Sequence, residues 1–246
     1  MKDLISKVTF GFLMAQLVPG AVAVFSLSFL WVTFTGAAPT AIVTAAQQVA
    51  TVWTSSATGV IVFLAFSTGM GMAIHGLHWA VLGFLEEYYK DQETGKLRRV
   101  CDTFWHDKPV GIQILLSPVK IWIEIGLLFW KGRRLCDIAV EENVCFIDKD
   151  NIDAFKWLED FYLHFAQFYL HTSYAISFLC VSLFISVLFG RGLEWSGISL
   201  GILVGTWLAS GFFFVIGRIQ FATLFRAENS IRRDKVKALV HEGPGP

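Results

Sequence analysis

Between Val8 and Leu85 the chain carries no charged side chain, and between Phe161 and Gly217 it carries only Arg191 and Glu194. Apart from Lys2, Asp3 and Lys7 at the start, the remaining charges crowd into 86 to 160 and the stretch from Arg218 onward. A helix of ~20 apolar residues crosses the ~30 Å hydrocarbon core of a bilayer. Long uncharged blocks alternating with charged ones therefore read as spans separated by aqueous loops. Composition agrees: 54 % of residues are hydrophobic and 16 % charged, against ~25 % charged in soluble domains. The expected fold is all-α, an integral membrane four-helix bundle with a helical cytoplasmic insert between spans 2 and 3.

Four spans are predicted, over about Thr9 to Thr33, Ser56 to Leu85, Gln167 to Phe189 and Ser196 to Phe225. They divide the chain into spans 1 and 2 with a short outer loop (1–85), an insert (86–160), spans 3 and 4 (161–225), and a basic helix with its tail (226–246). Lys2 and Lys7 precede an apolar run that is too long for a signal-peptide core, so the run reads as a retained span. Pro19 has no amide hydrogen and is expected to distort span 1 near Gln16, whose side chain can satisfy a freed backbone group. Span 3 is expected to continue from a helix starting near Asp153, and span 4 to run into a polar helix from Arg226 to Val240. The last residues, Gly243-Pro-Gly-Pro246, read as a disordered tail.

Val110 to Trp130 is apolar and long enough to cross, but it contains Pro118, Lys120 and Glu124. Each charge costs about 2.5–3.5 kcal/mol at a helix centre, and each large apolar residue returns about 0.3–0.6 kcal/mol. Orientation decides between four and five crossings. With four, every Lys and Arg except Arg191 falls on one side, a split of 19 to 1 among 20. A fifth crossing divides them 8 to 11, with Lys120 on neither side. Positive residues gather on the cytoplasmic side, which favours four crossings of the cell membrane with both termini cytoplasmic. Val110 to Trp130 is then expected on or dipping into the membrane surface, with Lys120 and Glu124 paired on its wet face. The uncharged outer loop allows a short interfacial helix over Ala41 to Val52, with Gln47 and Gln48 toward water.

Gly197, Gly201, Gly205 and Ala209 recur every four residues in span 4, giving one helix face that another backbone can approach closely. Its partner is either another span of the same chain or a second copy. Span 2 adds a less regular set, Gly69, Ala73, Gly76, Ala80 and Gly83. Four of six histidines lie in spans: His75 and His78 in span 2, His164 and His171 toward span 3. His164, Gln167, His171 and Tyr174 share one helical stripe. Three readings of this intramembrane polar cluster compete: hydrogen bonds between helices, a path for protons or ions, and a metal site, since imidazole suits zinc or iron. Glu86-Glu87 and Glu159-Asp160 flank the histidines; they are either acid–base partners or marks of where helices leave the membrane.

The insert carries basic clusters, Lys96, Arg98 and Arg99 in one and Lys131, Arg133 and Arg134 in another, next to apolar runs, as contacts to anionic lipid headgroups require. The C-terminal helix adds five more cations. A net charge of zero argues against a nucleic-acid partner. Cys101, Cys136, Cys145 and Cys180 form no C-x-x-C pair. The chain has no P-loop, dinucleotide fingerprint, H-E-x-x-H or nucleophile elbow. No catalytic residue, cofactor or bound metal is therefore assigned. The leading expectation is a non-enzymatic, oligomeric or complex-forming membrane subunit, pore-forming or membrane-perturbing and gated through its insert. In outline it resembles the small multi-span effectors of prokaryotic antiviral defence, a likeness of architecture without a shared motif. The alternatives are a histidine-dependent interfacial enzyme, metal-loaded or not, and a small proton or ion conductor.

Overall fold

A computed structural model describes residues 13–35, 42–91, 108–131, 163–189 and 197–241; side chains are described for 15–35, 42–81, 108–130, 163–189 and 197–224. These residues are all helical or in short turns. A π turn at Leu13–Leu17 leads into α1 (Val18–Thr35). It is followed by α2 (Ile42–Thr54), α3 (Ala57–Asp91), α4 (Val110–Lys131), α5 (His164–Phe189) and α6 (Gly197–His241). All but α2 are long and apolar enough to cross a membrane. Five such helices are present where a four-helix bundle was expected, the fifth being α4, the segment Val110 to Trp130 whose length and apolarity the sequence already showed. The polar segment after Phe225 continues α6 without a break.

The helices pack around α5, of whose span 56 % is buried, against 17 % for α3 at the periphery. Hydrogen bonds fix the directions. Thr33 meets Ser186 at 2.9 Å and Ala15 meets His171, so α1 and α5 run parallel. Ser173 and Ser210 exchange hydroxyl-to-carbonyl bonds of 2.7 and 3.0 Å, and the Cys180 thiol faces the Leu203 carbonyl at 3.8 Å, so α5 and α6 are antiparallel. Gly20 abuts the Ser67 carbonyl and Gly71 abuts that of Gln16, so α1 and α3 are antiparallel. Each of these contacts puts a small or hydroxylated residue where two backbones meet, because between helices in lipid close packing and hydrogen bonds replace the hydrophobic drive.

The helix α4 runs alongside α6 and in the same direction. Ile114 sits against Gly211, the Trp207 indole donates to the Leu115 carbonyl at 2.8 Å, and Arg218 reaches Glu124 at 3.4 Å. The expected Lys120–Glu124 pair forms, at 3.8 Å, but Glu124 is only 5 % exposed and has Arg218 as its nearer cation. The physical reason is that Pro118 and two charges make a poor free-standing surface helix and a good partner for a helix bearing one arginine in an apolar run.

Both internal prolines are answered by a neighbouring helix. Pro19 cannot donate to Ala15, one turn back, and Pro118 cannot donate to Ile114. His171 donates to the Ala15 carbonyl at 2.7 Å. Gln16 does not take that role, and its own Oε1 is buried without a partner. The Ile114 carbonyl is covered by the Cα of Gly211, a close approach that a Cβ would block and that suits a Cα–H···O contact.

Glycine substitutions separate close contacts from open faces. Gly211→Ala and Gly76→Ala each gain up to about 1 kcal/mol of helix propensity, but only Gly211→Ala drives a methyl into a backbone carbonyl, for which overpacking costs about 1–3 kcal/mol. Thermal melting in one detergent should place Gly211→Ala below wild type and Gly76→Ala at or above it.

Candidate functional site

A cluster of polar aromatic side chains comes from two helices. α3 contributes His75 and His78, one turn apart, and α5 contributes His171 and Tyr174. His171 is fully buried, and His78 is 2 % exposed. The His171 ring lies 5.2 Å from that of His75 and 5.1 Å from that of His78, centroid to centroid, edge-on to both. Tyr174 and Phe221 close the other sides of His78, at 5.8 and 6.0 Å.

Hydrogen bonding determines where the protons sit. A carbonyl only accepts, so His171 carries its hydrogen on Nδ1 and gives it to Ala15. In the neutral ring Nε2 is then an acceptor, and its neighbour at 3.3 Å is Nδ1 of His78. His78 must donate there. The result is a directed chain, His78 to His171 to Ala15, that ties α3 and α5 to the irregular entry of α1. It ends on an amide oxygen, which cannot pass a proton onward. This geometry gives His171 the work of interhelical hydrogen bonding, the first of the three roles open to the histidines.

Other members of the stripe are placed differently. Gln167 is buried, at 7 % exposure, and makes no hydrogen bond to the rings. His164 is half-buried at the start of α5, with Nδ1 lacking a partner, and among the described residues no ring contact links it to the other histidines. Among the described residues no group of three His, Cys, Asp or Glu side chains is placed to hold a metal ion.

A second polar layer joins α4 to α6. Glu124 Oε1 receives Arg218, whose guanidinium also stacks over Phe214 at 5.2 Å. Glu124 Oε2, His75 Nδ1 and Gln16 Oε1 are buried with no hydrogen-bond partner. Unfilled acceptors in such numbers mark a site with spare hydrogen-bonding capacity. Sequence reasoning did not couple Glu124 to Arg218 or His171 to Ala15. A signal existed for both: an acid in an apolar helix requires a cation from elsewhere, and a proline names the carbonyl four residues earlier as needing a donor.

Gly197, Gly201 and Gly205 have open space where a side chain would be, and Ala209 is half-buried. Among the described residues, no contact with another span is made by these glycines. Gly69 and Gly76 on α3 are open too. The described glycines that do meet another helix are Gly20, Gly59, Gly71, Gly211 and Gly217, Gly59 against the Trp53 carbonyl of α2 and Gly217 against the Leu170 side chain, 2.6 Å from an added Cβ. Lys96, Arg98, Arg99, Arg133 and Arg134 lie outside the described residues, as do Cys101, Cys136, Cys145 and Glu159-Asp160. The side chains of Lys131, Gly83 and Glu86-Glu87 and those beyond Leu224 do so as well.

No family model, no curated protein and no solved structure matches the chain.

If His171 stands in for the amide that Pro19 lacks, the two residues are energetically coupled. His171→Phe should cost about 1–3 kcal/mol, the penalty of an unsatisfied buried acceptor. Pro19→Ala restores a donor within the helix, so the double variant should lose less than the sum of the singles by at least ~0.5 kcal/mol. A double-mutant cycle from detergent or urea unfolding tests this; strict additivity would show that the bond carries no energy.

Proposed function

We propose that the chain is a non-enzymatic membrane subunit that crosses the bilayer four times and works as a homo-oligomer. The observation that carries this reading is the division of its glycines. One set is consumed in contacts inside the chain, and the four-residue repeat Gly197, Gly201, Gly205 is left facing open space. Glycine in a helix interior costs ~1 kcal/mol relative to alanine, and in lipid that cost is offset when a second backbone packs against it. A second copy supplies such a backbone.

Four crossings are supported by helix direction as well as by charge. Because α3 is antiparallel to α1 and α5 is parallel to it, α3 ends on the face where α5 begins. An even number of crossings must lie between them, and α4 alone would make it odd. We therefore assign α4 as a helix of the insert held at membrane depth against α6, with the termini and the insert on the cytoplasmic side. In this arrangement α4 touches the same helix that carries the open glycine ridge. Movement of the insert, on binding a ligand or partner, would pass through the Gly211, Trp207 and Arg218 contacts into the assembly helix, which is how gating of a pore would begin.

Gly201→Leu and Gly205→Leu should reduce the particle in mild detergent to a single chain, with helicity by circular dichroism unchanged, as judged by native mass spectrometry. An unchanged oligomer in both variants would place the interface elsewhere.

The unpartnered His75 Nδ1 and Glu124 Oε2 favour a second reading, in which water enters these layers and the assembled subunits conduct protons. In proteoliposomes with an imposed pH gradient, His75→Phe should then lower proton flux at least tenfold without changing particle mass. Flux equal to wild type would remove conduction through this cluster.

A further inference from the structure

One cavity of about 1140 Å³ opens between α1, α2 and the first half of α3. It is larger than the ~300–1,000 Å³ typical of small-molecule pockets, and its lining changes character along its length. Toward the middle of the bundle the walls are Val24 and Leu27 of α1 and Phe66 and Met70 of α3. At the other end α2 presents Gln47 and Gln48, both exposed, with Thr44 and Thr51 beside them. The roof is fixed in place: Ile42, Ala45 and Val49 of α2 are buried, and the Trp53 indole donates to Ser28 Oγ at 3.0 Å while its ring packs on Phe63.

Two features specify what fits. The first is depth. The α1 wall runs from Val24 to Thr35, which at 1.5 Å per residue is about 16 Å. That is half of the ~30 Å hydrocarbon thickness, so the groove is one leaflet tall, apolar at the bilayer centre and amide-lined at the interface. The second is charge. None of the lining residues is charged, so the lining itself offers no partner to an ionic headgroup, and a net charge held against it would go uncompensated there.

We infer that this groove is a binding site for a single lipid of the leaflet at the α2 end, with one acyl chain between α1 and α3 and an uncharged or zwitterionic headgroup at the Gln47–Gln48 amides. The inference rests on the chain lying in a membrane and not on its oligomeric state, so loss of assembly and loss of lipid are read separately.

The test is native mass spectrometry of the delipidated full chain titrated with phosphatidylethanolamine and, separately, with phosphatidylglycerol. One tightly held phosphatidylethanolamine per chain is expected, bound at least tenfold more strongly than phosphatidylglycerol. Leu27→Trp, which fills the apolar end, should weaken that adduct at least tenfold, and Gln48→Leu, on the exposed face of α2, should weaken it about threefold. Leu208→Trp, on an exposed face of α6 away from the groove, should leave it unchanged. Melting curves identify any variant that fails to fold, and Gln48→Leu decides the matter if Leu27→Trp does. The proposal is overturned by adducts spread evenly over many lipids, by equal binding of the anionic lipid, or by equal binding to the folded groove variants and wild type.

Discussion

In hydrocarbon a backbone carbonyl without a donor costs several kcal/mol, since no water is present to replace the missing bond. This chain has a proline inside each of two apolar helices, at Pro19 and Pro118, and so creates that deficit twice. The bundle is arranged around the two remedies. His171 must reach Ala15, which sets α5 against the start of α1 and aligns the two helices in parallel. Gly211 must lie on Ile114, which sets α4 against α6 and brings Trp207 and Arg218 to Leu115 and Glu124. Each irregularity is local in sequence, and each is resolved by a residue far away in the chain.

α5 occupies the centre because it carries polar groups toward three neighbouring elements. Ser186 meets α1, Ser173 meets α6, and His171 meets both the π turn and α3. A helix with that distribution is poorly suited to lipid and well suited to being surrounded. α3 is the converse. Its exposed residues include Ile61, Leu64, Phe66 and Met72, which lipid or another subunit can cover without unsatisfied polar groups.

The charge pattern located all five long apolar segments, because the cost of a charge in hydrocarbon acts residue by residue and leaves its trace in the linear sequence. Periodicity placed His171 and Tyr174 on one stripe and the span 4 glycines on one face for the same reason. What stayed hidden depends on pairing. A four-residue glycine repeat states that a backbone can come near without stating whose, and the described glycines that are used, Gly20, Gly59, Gly71, Gly211 and Gly217, follow no single repeat. The setting of Val110 to Trp130 likewise turned on Glu124 finding Arg218, which lies 94 residues away. Transfer energies of the segment alone balanced near zero and left its position to that partner.

The bond between Ala15 and His171 also has a history in time. The two residues are 156 positions apart, and a ribosome adding ~5–20 residues per second needs roughly 10–30 s to cover that distance. Throughout this interval the first helix has left the ribosome with a carbonyl that its own sequence cannot satisfy. It matures only when α5 arrives. The proline near the entry of α1 thus makes the earliest helix depend on one of the last, so the packing of α1 can be completed only after most of the chain exists.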